Sequence, residues 1–179
     1  MKKRILPVLF ALFLTASLSA QNTFNEGDNV LNLGLGIGNT LYTGSYYSSS
    51  VPPLSASYEV GVKDELFDEN SSLGVGGYLG YSSSKYRFSG SGSSFSNFIL
   101  GARGSLHYQF IDQLDTYAGL MLGYRIVSWN NDGFSSAASS GFTSAFYVGG
   151  RYYFNETFAG MMELGYGIAY LNIGVAIKL

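Results

Sequence analysis

Leu171-Asn172-Ile173-Gly174-Val175-Ala176-Ile177-Lys178-Leu179 alternates strictly between a large apolar side chain and a small or polar one. In a strand, successive side chains point to opposite faces, so Leu171, Ile173, Val175, Ile177 and Leu179 share one side. A face of this kind requires an apolar medium, which is either a protein core or a bilayer. The rest of the chain decides between them.

Seven further segments carry the same period of two: 30–38, 54–63, 73–82, 98–110, 117–128, 142–154 and 158–167. In the first, Leu31, Leu33, Leu35 and Ile37 oppose Asn32, Gly34, Gly36 and Gly38. In the fourth, Phe98, Leu100, Ala102, Leu106, Tyr108 and Phe110 oppose Gly101, Arg103, Ser105, His107 and Gln109. Each segment is close to the roughly 9–11 residues that a tilted membrane strand needs. The connections alternate in length. Ser/Gly/Asn-rich stretches at 39–53, 83–97 and 129–141 are long, whereas 64–72, 111–116 and 155–157 are shorter. Outer-membrane barrels have short periplasmic turns and longer external loops, so the three long stretches are expected outside. The connection at 168–170 breaks that pattern by being very short.

Every charge inside these segments falls opposite the large aliphatics: Glu59, Lys63, Arg103, Arg125, Arg151, Glu163 and Lys178. A charge facing lipid near the midplane costs about 2–4 kcal/mol, whereas a charge inside a barrel can find a partner. The expected fold is therefore all-β, a closed antiparallel eight-stranded transmembrane β-barrel. Its interior is just wide enough for side chains to fill. The inner face is otherwise glycine, serine and alanine, which leaves room for a polar network of Glu59, Arg103, His107, Arg125, Arg151 and Glu163 that plugs the lumen. Aromatics mark the expected headgroup levels, with Tyr42, Tyr81, Phe98, Trp129 and Phe142 near the outer strand ends. Phe110, Phe154 and Phe158 occupy the inner ends.

Composition agrees. Charged residues make up 12% of the chain, about half the usual quarter of a soluble domain. The first twenty residues read as an export signal: basic Lys2, Lys3 and Arg4, a short apolar run from Ile5 to Leu14, then small residues to Ala20. The expected division is thus a signal peptide at 1–20 and a barrel domain at 21–179. Removing three of the ten basic residues leaves seven against twelve acidic ones, so nucleic acid has no electrostatic footprint here. The absence of cysteine excludes disulfides and thiolate metal sites.

From 30 to 179 the pattern resembles the small eight-stranded outer-membrane β-barrel proteins, the group that includes OmpX and the OmpA transmembrane domain and is often described as porin-family. The ending Glu163-Leu164-Gly165-Tyr166-Gly167 with Leu171–Leu179 carries the resemblance, although Leu179 stands where such strands usually end in an aromatic residue. The resemblance implies outer-membrane localisation in a Gram-negative envelope, contact with outer-membrane lipid, recognition of the terminal strand by the barrel-assembly machinery, and no catalytic motif.

No other chemistry is expected. His107, the single histidine, and Ser105 both face inward, unlike the lipid-facing pair of membrane acyl hydrolases, so His107 is expected to hydrogen-bond in the lumen. Glycine spacings at 34–38 and 74–77 complete no dinucleotide fingerprint. The acidic turn Asp64, Glu65, Asp68 and Glu69 lacks calcium-loop spacing. No enzyme, cofactor or metal is expected. The expected role is structural or surface-interacting, as a monomer that meets an external ligand or surface at its loops; the alternative is a narrow porin-like channel for small solutes.

Overall fold

The computed structural model describes residues 23–41, 47–88, 91–130 and 140–179. Its eight strands are β1 (Asn29–Asn39), β2 (Tyr47–Asp64), β3 (Ser71–Phe88), β4 (Ser91–Ile111), β5 (Leu114–Asn130), β6 (Gly141–Tyr153), β7 (Phe158–Tyr166) and β8 (Ala169–Lys178). They form a closed antiparallel barrel in sequence order, with β1 pairing β8 from Val30↔Lys178 to Asn39↔Ala169. The segment expected to be a signal, 1–20, lies outside the described residues, as does Tyr42.

Alternation sets the two faces as expected. Leu35, Leu79, Leu100, Leu122, Leu164 and Val175 point outward and are exposed. Asn32, Glu59, Tyr78, Arg103, Tyr147 and Arg151 point inward and are buried. One charge departs from this pattern. A bulge between Gly61 and Lys63 places Lys63 opposite outward-facing Leu73, so Lys63 is exposed rather than on the inner face. An extra residue in one strand shifts every later side chain to the other face.

The strands are also longer than the alternation suggested at one end. We call the end carrying residues 23–28 and Leu179 proximal and the opposite end distal. Segment 83–97, expected as a loop, is mostly a paired hairpin: Ser84 faces Phe95, Lys85 faces Ser94 and Phe88 faces Ser91. The ladder is made by backbone groups, so a run of serines can continue it even though its composition reads as loop. β1 follows β2 only as far as Leu35↔Leu54, while β2 runs on to Tyr47 paired with β3. The β2–β5 wall therefore rises roughly 20 Å above the low wall of β7, β8 and β1.

Small inner-face residues let the strands coil tightly. A Cβ on Gly174 would lie 1.9 Å from the Leu33 carbonyl oxygen, which is fixed in the closing ladder, whereas nothing lies within 4 Å of one on outward-facing Gly77. Gly174→Ala is expected to destabilise the barrel by about 1–3 kcal/mol through this overpacking. Gly77→Ala should leave the urea unfolding midpoint nearly unchanged.

The lumen as candidate functional site

Three layers fill the lumen. At the proximal end, residues 23–28 fold across the mouth. Phe24 is buried with Val30, Tyr153, Ala159, Met161 and Ala176. Its segment is tied to four strands. The Phe24 carbonyl accepts from Ser72 Oγ (3.0 Å), Gly27 and Asp28 exchange backbone bonds with Gly61, and the Thr23 N–H donates to Gln109 Oε1. Lys178 Nζ lies 2.6 Å from Asp28 Oδ2.

Above this plug lies the ionic layer. Arg151 from β6 is fully buried (0% exposed) and donates to Glu59 and, at 2.9 Å, to Asp115 Oδ2. His107 sits between the same two carboxylates, with Nδ1 2.8 Å from Asp115 Oδ1 and Nε2 3.2 Å from Glu59 Oε1. An ionised carboxylate only accepts, so with both carboxylates ionised both ring nitrogens donate. Arg103 pairs with Glu163 at 2.7 Å across the barrel, and the Tyr117 hydroxyl donates to the same carboxylate oxygen. Asn32 and Ser57 join the two groups: Arg151 Nε donates to Asn32 Oδ1 at 3.0 Å, while Asn32 Nδ2 and Arg103 NH1 both donate to Ser57 Oγ. Glu59, Asp115 and Glu163 thus balance Arg103, Arg151 and His107.

The third layer is apolar. Tyr78, Ile99, Met121, Tyr147, Ile168 and Ala169 close over the ionic layer, with Leu41 packed against them. Polar positions return only beyond this seal, at Asn39, Ser82, Ser84 and Asn97.

Five of the six expected network residues meet: Glu59, Arg103, His107, Arg151 and Glu163. Arg125 does not. It faces inward on β5, paired with Ile99 at the level of the seal, and makes no ion pair among the described residues. The Ser105–His107 pair also stays apart, because Ser105 Oγ bonds the Tyr147 hydroxyl at 2.9 Å.

Two participants were not anticipated. Asp115 falls in a segment read as a turn, yet it is in phase with Tyr117 and Gly119, and extending the alternation by two residues would have found it. Phe24 stacks on His107 with centroids 4.1 Å apart, and no periodic signal marks it. Phe24→Ala is expected to be destabilising, because it removes a buried ring from the plug. It should lower the urea midpoint without preventing folding.

Outside, aromatic side chains gather at two levels. Distally, Tyr81 faces Phe98 across β3–β4, and Tyr124 meets Phe142 edge-on at 5.7 Å. Proximally, Tyr152 and Phe154 are 5.9 Å apart, near exposed Phe110 and Phe158. The wall between them is mainly aliphatic, as at Leu79, Leu100, Leu122 and Val148.

A closed eight-stranded barrel with a filled lumen, an aliphatic belt and aromatic rims is now complete. Among solved structures, Ail, the attachment invasion locus protein of Yersinia pestis, matches 86% of this chain and 95% of its own at a TM-score of 0.52 and 12% identity. The outer membrane protein OprG from Pseudomonas aeruginosa matches 89% of this chain and 99% of its own, with a TM-score of 0.54 and 13% identity. The chain has the fold of the small outer-membrane β-barrels. No family model matches it, and no curated protein matches it in sequence.

Proposed function

We propose that this protein is an integral outer-membrane barrel with a closed lumen, acting at the cell surface in a structural or surface-interaction role rather than as a channel. The bonded ionic layer carries this reading. Its charges are each matched within the lumen, an apolar seal covers them on one side and the Phe24 plug on the other. An ion would have to break several buried pairs to pass. The raised β2–β5 wall is the part available to an external partner. One similar structure is that of Ail in complex with a heparin analogue, sucrose octasulfate. Outer-membrane lipid is the partner of the aliphatic belt, the terminal strand is what the assembly machinery reads, and the barrel acts as a monomer.

Planar-bilayer recording of the purified, folded protein tests the closed lumen. No steady open-channel current is expected. A steady current would overturn the reading in favour of a narrow pore. Fractionation tests the location: the protein should remain with outer membranes and migrate differently on gels before and after boiling.

A further inference from the structure

At and beyond the apolar seal, three inward-facing groups have no partner among the described residues. Ser82 and Asn97 face each other directly across β3–β4, and both are 0% exposed. Ser82 Oγ and both amide atoms of Asn97 make no hydrogen bond among the described residues. Arg125 on β5 is the diagonal neighbour of Asn97, since Ile99 pairs with Arg125 and Asn97 with Val127. Diagonal inner-face neighbours are within reach of a side chain as long as arginine. Buried polar groups are almost always bonded, and an orphaned amide calls for an explanation such as a bound ion.

We propose that the distal half of the lumen binds a small oxyanion between Arg125, Asn97 and Ser82. The sign follows from what surrounds them. Glu59, Asp115 and Glu163 are committed to Arg103, Arg151 and His107 below the seal. Among the described residues, every other carboxylate lies at the proximal end, in 26–28, 64–69, 112 or 156. No described acid competes for Arg125. The three groups together offer a guanidinium fork, an amide N–H₂ and a hydroxyl, a donor set suited to a carboxylate, phosphate or sulfate. Arg125 is partly exposed and provides the point of entry.

The barrel, folded in non-ionic detergent and verified by heat-modifiable migration, is titrated separately with sodium acetate, sodium phosphate and sodium sulfate. Ionic strength is held constant with sodium chloride. The fluorescence of Trp129, the chain's single tryptophan and four residues beyond Arg125 on β5, gives the readout. A saturable change is expected with at least one of the three anions, and the one that saturates at the lowest concentration identifies the chemistry. Arg125→Gln and Asn97→Leu should each weaken it by about tenfold or more, as loss of a charge-assisted bond implies. Arg125→Lys, which keeps the charge but not the fork, should fall between. Responses no different from chloride alone, or equal saturation in Arg125→Gln, would overturn the proposal. It does not depend on the conductance result, because Arg125 lies outside the bonded ionic layer.

Discussion

Arg151→Ala should lower the stability of the folded barrel by about 3–5 kcal/mol, the usual cost of leaving buried charges without their partner. Arg151 is the shared cation of Glu59 and Asp115, and it also donates to Asn32. Removing it strands two buried carboxylates with one histidine between them. The Arg103 half of the network remains bonded to Glu163 but loses its link through Asn32 and Ser57. Urea unfolding in lipid vesicles measures the effect, with Lys85→Ala as the exposed control, expected within about 0.5 kcal/mol of the unchanged protein. Equal effects of the two substitutions would remove the ionic layer as the source of stability. Restoring neutrality offers a second check. Combining Arg151→Met with Glu59→Gln and Asp115→Asn should recover part of the loss, because fewer unpaired charges remain buried.

Leu122→Arg should cost about 2–4 kcal/mol if the outer belt is solvated by hydrocarbon, since that is the penalty for arginine near the bilayer midplane. Leu122 lies in the middle of β5, 70% exposed, between outward-facing Leu120 and Tyr124. In a water-soluble barrel the same substitution on an exposed side chain would be nearly neutral. Vesicle-embedded unfolding therefore separates the two media with a single residue. Phe142→Arg, at the distal aromatic level, should cost far less, because long cationic side chains near the interface reach the headgroups. A flat response at both positions would contradict a transmembrane belt.

Much of this was legible in the chain. Two-residue alternation fixed strand number, order and facing, because a half-buried strand has no other way to separate apolar from polar side chains. It placed Glu59, Arg103, His107, Arg151 and Glu163 inward, and these are the residues that meet. Lys63 escaped the rule because a bulge inserts one residue, which no local pattern announces. The serines of 83–97 hid a hairpin because strand pairing depends on backbone groups and not on side-chain polarity.

What the sequence determined by itself was sidedness: which residues face in and which face out. Which inward residues touch was decided by tertiary structure. Arg151 reaches Glu59 from 92 residues away, and Arg103 reaches Glu163 across 60, because barrel closure and stagger bring β2, β4, β6 and β7 around one lumen. Depth along the lumen set the rest. Arg125, on the same face as Arg103 but at the level of Ile99, lies outside the ionic layer. Phe24, outside any strand, reaches the network because residues 23–28 fold back over the mouth. Alternation is a local property of the extended chain, while strand stagger emerges only when the cylinder closes.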